Sequence, residues 1–355
     1  MHLILNLIYS PMNRYAASVI LAASSVLAPT LSHGAEVGEV KSYLVDTLVK
    51  VKAASEEFVK NSSEYAAILS AAGGPEKAWA TKKPEVAALV AKMQENYKAM
   101  DSFGYETVEG IVAGVDKFAH YDVYLDAGLP KDEGQPEEIS PLKLTLSTGD
   151  VIDREGAGFT YIIEPALWGG NKKWVVAFDL DGDGKVGARE SLPRPEVLTT
   201  VAVDTNAKIG ELLADARSWV PTVEDCYQAM VAMTPTLSDY FEDWKESRYS
   251  EEASGRFFAV SRISDMQGIM KSCAVMYQAV QSGVTAKDKA LGKAVDSGFK
   301  DIFAFLDALE KLEEKKVVFK TAQIDELAAQ AKAKTDKLVP QIKQAAALVG
   351  VQVAG

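Results

Sequence analysis

Histidine is almost missing from this chain, with only His2, His33 and His120 among 355 residues. Two of the three fall in an N-terminal leader, so one imidazole is left for chemistry. That excludes a zinc site built on two histidines, HExxH included, and leaves any Ser–His–Asp arrangement His120 alone. A metal site here must be made mainly of carboxylates and other oxygens, which suit hard ions such as calcium, magnesium, manganese or ferric iron. Positive charge is short too: 38 Lys and Arg stand against 50 Asp and Glu, a net charge of −12. A surface of that sign opposes a nucleic-acid partner and favours cations. The glycines show neither P-loop nor dinucleotide spacing, and cysteine is limited to Cys226 and Cys273.

What is present begins with the leader. The stretch MNRYAASVILAASSVLAPTLSHGA supplies Arg14, an apolar run over 16–28, and small residues up to Gly34 and Ala35. Residues 1–35 are therefore expected to be a signal peptide, with Met12 a candidate start. The apolar run is shorter than the ~20 residues a membrane span needs. The mature chain, 36–355, is expected to be periplasmic or secreted, with no membrane span. In an oxidising compartment Cys226 and Cys273 are expected to form a disulfide, two separate buried thiols being the alternative.

Most of the mature sequence has helical periodicity. Leu44, Val51, Phe58 and Tyr65 recur every seven residues, with Leu48 and Leu69 beside them. AAGGPEKAW ends that helix, and a second is expected from about Pro84, carrying Val86, Leu89, Met93, Tyr97 and Met100. Residues 131–153 read as loop, with room for a short helix at PLKLTLSTGDVI, and KKWVVAFD reads as a short strand. Wide apolar faces then mark helices over 204–219, 222–233, 235–246, 259–282, 287–315 and 321–348, punctuated by Pro235, Gly283 and Gly350. The expected fold is all-α, two packed helical bundles with irregular central loops.

Between the two helical halves lies DLDGDGKVGARE, residues 179–190. Acidic groups at positions 1, 3, 5 and 12 and a glycine at 6 make an EF-hand-type calcium loop. Asp179, Asp181 and Asp183 would give side-chain oxygens, Lys185 its carbonyl and Glu190 both carboxylate oxygens, with Val186 pointing inward. No second loop follows, and Pro193 and Pro195 oppose a continuous exit helix. A lone loop of this kind is expected to be a structural calcium clamp and not a sensor.

Just upstream, GFTYIIEPALWGG resembles the signature of the imelysin-like family, in which Gly-x-His-x-x-Glu precedes a Leu-Trp pair. YETVEGIVAG, YFEDWKESRY and FAVSRISDMQGIM are similar to other parts of that family, over about 39–348. The resemblance implies two facing helical bundles. It also implies either a periplasmic component of iron uptake, working beside a membrane permease, or a peptidase-like metal site. This sequence departs from the motif: Thr160 stands in the histidine position and the glutamate comes one residue late, as Glu164. That weakens the peptidase reading.

Further oxygen donors are candidates for a second metal site. Glu164 lies among bulky apolar residues and must be paired, protonated or metal-bound; Arg262 is a possible partner. His120 sits in FAHYDVYLDAG with Asp122 and Asp126, and Glu106, Glu109 and Asp265 complete the set. The reading is a non-enzymatic, exported protein that binds iron or another hard metal and carries a structural calcium ion. The alternatives are a metal-dependent peptidase and a calcium-stabilised scaffold or adhesion module.

Overall fold

The seven-residue stripe of Leu44, Val51, Phe58 and Tyr65 is fully buried in the computed structural model, which describes residues 33–127, 142–154, 156–187, 189–251 and 257–353. The expected leader lies almost wholly outside the described residues. The stripe belongs to α1 (His33–Ala72), which ends where Gly73 and Gly74 adopt positive φ. Helix α2 (Pro75–Met100) follows at once. It begins at Pro75, earlier than the expected Pro84. Non-helical Lys82 (φ −138°, ψ 33°) lies two residues before Pro84, so that proline marks a kink inside the helix and not its start.

The chain then makes a π-helical turn π1 (Asp101–Tyr105), α3 (Glu106–Val112), α4 (Ala119–Asp122) and π2 (Val123–Ala127). The segment expected to be a loop or short helix is a hairpin, β1 (Leu142–Thr145) antiparallel to β2 (Val151–Arg154). Its first strand alternates, with Leu142 and Leu144 buried and Lys143 and Thr145 exposed, the period of a half-buried strand. A third π-turn, π3 (Phe159–Ile163), runs into α5 (Glu164–Leu167). The expected strand before the calcium-type loop is β3 (Val175–Ala177), paired with β4 (Ser191–Pro193). The loop thus joins two strands of a hairpin, and no helix precedes it.

The remainder is helical: α6 (Pro195–Ser218), α7 (Val223–Met233), a 3-10 turn (Pro235–Ser238), α8 (Tyr240–Glu246), α9 (Arg262–Lys287), α10 (Lys289–Glu314) and α11 (Thr321–Val349). Gly283, expected to end a helix, is buried inside α9. Helix α1 packs on α2 and α6, whereas α9 packs on α7 and α10, and α10 on α11. Contacts of α9 with α1 and α3 join the two groups. The class is all-α, as expected, with two small two-stranded sheets.

The expected disulfide is not made. Cys226 on α7 and Cys273 on α9 are buried free thiols. Burial pushes both thiols up to about 12, so each remains a protonated, poorly nucleophilic packing group. Among the described residues no helix is long and apolar enough to cross a membrane.

Candidate metal centre

Helices α3 and α9 approach closely because glycines face one another's backbones. A Cβ on Gly268 would lie 2.9 Å from the Glu106 carbonyl, and one on Gly110 would lie 2.9 Å from the Ile269 carbonyl. The close approach sets Glu106 and Glu109 of α3 against Arg262 and Asp265 in the first turn of α9. The π-turns add the rest. In π1 the Glu106 N–H bonds back to the Asp101 carbonyl, the i to i−5 pattern, which brings together carboxylates that an α-helix would splay apart. The turn π2 delivers Asp126, and π3 delivers Thr160 and then Glu164.

The result is a buried acidic interior. Seven carboxyl groups, on Asp101, Glu106, Glu109, Asp122, Asp126, Glu164 and Asp265, are buried with one guanidinium, that of Arg262. Oxygens of Asp101, Glu106 and Asp126 come within 4.8 Å of one another. Neither Glu106 oxygen accepts a hydrogen bond, and its nearest cation, Arg262 Nη1, is 3.5 Å away. Asp101 Oδ1, Asp126 Oδ1, Glu109 Oε2 and Asp265 Oδ1 are also without hydrogen-bond partners. Burial first, and neighbouring carboxylates second, raise Asp101, Glu106 and Asp122 well above the usual carboxylate range. Burial and Glu109 do the same to Asp126, against some relief from Arg262.

Other members are partly satisfied. Tyr240 Oη donates to Glu109 Oε1 at 2.5 Å and Tyr105 Oη to Asp122 Oδ1 at 2.8 Å. Arg262 donates to Asp265 at 3.0 Å and to Asp243 at 3.2 Å, with its guanidinium over the rings of Tyr240 and Phe257. Glu164 is held by three main-chain donors, Phe257, Phe258 and Ala259, at 3.0, 2.6 and 2.8 Å. Arg262, offered above as its partner, pairs instead with the carboxylates of α3, α8 and α9. Burial raises the Glu164 carboxyl, and the three N–H groups offset part of that rise. Glu164 is therefore committed to shaping the chain before α9.

The fold brings together Glu109, Asp122, Asp265, Glu106 and Asp126 from the sequence candidates, and sets Glu164 beside them. His120 is not among them. It is exposed and its ring stacks on Tyr121, because it lies on the outer face of the one-turn α4 whose inner face carries Asp122. Asp101 escaped the sequence reading: it lies five residues from Glu106, a spacing that no α-helical face picks out. The displaced glutamate of the signature also has a structural answer. A π-turn absorbs one extra residue, and the Glu164 N–H bonds to the Phe159 carbonyl across the turn.

The 179–190 loop is compact. Asp179 accepts N–H bonds from Gly182 at 2.6 Å and Gly184 at 2.8 Å, which hold its carboxyl below the usual range. Both glycines have positive φ. Glu190 folds back to accept from Gly187 at 2.6 Å and Asp181 at 3.3 Å, and oxygens of Asp179, Asp181 and Asp183 lie within 4.8 Å of one another. Lys185 lies in the same turn, its N–H bonded to Asp183. Val186, expected to point inward, is 58% exposed, since a hairpin end offers no pair of helices to receive it.

In a comparison with known families, the family model described as Imelysin matches residues 51–348. No curated protein matches the chain.

Proposed function

This chain belongs to the imelysin family, and on that premise we propose that it binds a hard metal cation, iron by preference, as a non-enzymatic component of an exported uptake system. The observation that carries the reading is the set of buried carboxylate oxygens on Asp101, Glu106 and Asp126 that have no hydrogen-bond donor. Leaving such groups unpaired costs free energy that a cation would recover. The donor set fits the cargo: all-oxygen, anionic and almost free of imidazole, as hard ions require. Asp101, Glu106 and Asp126 would hold the cation, with Glu109, Asp122 and Asp265 adjoining. Tyr105, Tyr240 and Arg262 would position those neighbours through the bonds they already make. The expected leader, residues 1–35, supports work in the periplasm, with a membrane permease as the recipient we propose.

A peptidase needs a free base beside metal-bound water. Thr160 in the histidine position, and Glu164 engaged by three peptide N–H groups, both weigh against that activity. Calcium in the 179–190 loop is the second part of the proposal. Asp179, Asp181, Asp183, Lys185 and Glu190 would hold it, as a clamp on the β3–β4 hairpin. The test is titration with ferrous, ferric and manganous ions of the Asp179→Ala/Glu190→Ala protein. Binding at micromolar concentration supports the reading, and no binding by any of the three refutes it.

A further inference from the structure

A cavity of about 280 Å³ lies between α2, the end of α5 and the β3–β4 hairpin. Trp79, Val90, Leu167, Trp168 and Leu192 give it apolar walls, and Arg189 and Ser191 also line it. Neither polar group makes a hydrogen bond or ion pair among the described residues. The Ser191 hydroxyl is buried and makes no hydrogen bond. The Arg189 side chain is exposed, makes no ion pair among the described residues, feels the Glu164 carboxylate electrostatically, and sets its guanidinium carbon 3.2 Å from the Phe258 ring centroid.

The cavity is kept open by glycine. Gly169 has φ 71°, and a Cβ there would sit 2.9 Å from Ser191 Oγ and 3.0 Å from Arg189 Cα. Gln94, which also lines the space, spends its amide on the Leu167 carbonyl at 2.9 Å. Trp79 likewise spends its indole N–H, on the Leu180 carbonyl at 3.0 Å. Trp79 also carries the Lys83 ammonium 4.9 Å from its ring centroid, and Trp168 meets Tyr97 edge-on, so the indoles offer the faces those contacts leave, with one hydroxyl and one guanidinium for polar contact.

We propose that this cavity binds a small aromatic carboxylate, its carboxyl group on Arg189 and Ser191 and its ring between Trp79 and Trp168. A lone guanidinium with a hydroxyl matches one carboxylate, and the apolar walls match a ring. A sugar acid would leave most of its hydroxyls facing Leu, Val and indole carbon without partners. Inorganic phosphate would leave the apolar walls unfilled. None of its lining residues belongs to the carboxylate cluster, whereas Arg189 lies in the 179–190 loop beside Glu190, so the test keeps that loop in one calcium-saturated state.

The test is calorimetric titration of the full mature chain, in saturating calcium, with benzoate, glucuronate and inorganic phosphate. Benzoate is expected to bind at one equivalent, and the other two at least tenfold more weakly. Arg189→Gln is expected to weaken benzoate at least tenfold, and Ser191→Ala severalfold. Melting curves establish that each variant is folded. Should Arg189→Gln not fold, the conservative Ser191→Ala decides the matter. No saturable benzoate binding, glucuronate or phosphate binding as tightly as benzoate, or full affinity in a folded variant would each overturn the proposal.

Discussion

The Thr160 hydroxyl donates to the main-chain carbonyl of Asp126 at 3.0 Å, deep in the interior. This bond ties π3, where the family signature would place histidine, to π2, which supplies a carboxylate of the candidate metal centre. Thr160 thus joins two of the three π-turns whose residues build the acidic interior, and it does so without offering a nitrogen ligand. Turns of this kind are costly in an ordinary helix and concentrate at functional sites.

The acidic interior has a direct consequence for stability. Burial and like charge disfavour the ionised forms of Asp126 and Glu106, so their neutral amides should fit the metal-free protein better. Asp126→Asn and Glu106→Gln are expected to raise Tm in chelator by a few degrees. Each should weaken iron or manganese binding by on the order of a hundredfold. Thermal melts with and without metal, paired with titration, measure both effects.

Calcium should act on the hairpin and not on the helices. Chelation is expected to lower Tm by roughly 4 °C if the loop is loaded at about a hundredfold excess over its Kd. The far-ultraviolet circular dichroism of the helices should stay unchanged. Asp179→Ala/Glu190→Ala should abolish the dependence on calcium; a double variant that still responds would place the effect elsewhere.

Glu313 provides a pH test away from the candidate metal centre. It is buried at the end of α10, accepts the Trp244 indole N–H at 2.6 Å, and is pushed by burial up to about 7. Its folded pKa exceeds the unfolded value, so the folded state holds the proton more tightly. The stability from this group is fully present below about pH 4.5 and is lost as pH rises to about 7. Relative to wild type, Glu313→Gln should therefore gain a few degrees of Tm between pH 5 and pH 8, read from melts across that range.

Both cysteines should be silent in the native state. A thiol reagent such as 5,5′-dithiobis(2-nitrobenzoate) is expected to modify neither Cys226 nor Cys273 until denaturant is added, and then to titrate two thiols. Finding no free thiol in the unreduced, denatured protein would instead establish the bridge.

Much of the fold was legible because the long helices obey one rule. Leu44, Val51, Phe58 and Tyr65 repeat at heptad spacing and are all buried, and the pattern of Phe299, Ile302, Leu306 and Leu309 on α10 is equally regular. The hairpin at β1–β2 was legible in principle. LKLTL alternates strictly and STGD is turn-like, but the proline- and acid-rich residues before it drew the eye to a loop. Pro84 misled because proline is tolerated at a kink as well as at a first turn.

The candidate metal centre was only half legible. Glu106, Glu109 and Asp265 lie in helical runs where most acidic residues face water, and sequence periodicity does not mark a π-turn. Asp101 needed that turn to meet Glu106. His120 attracted notice by rarity, yet rarity says nothing of which face of α4 it occupies.

The central claim is that this interior holds a hard cation on Asp101, Glu106 and Asp126. Its most direct test is a crystal grown with iron, with anomalous differences measured on both sides of the iron absorption edge. The account predicts an iron peak among those three carboxylates. A fully iron-equilibrated crystal with no peak there, or with its only peak in the 179–190 loop, would contradict it.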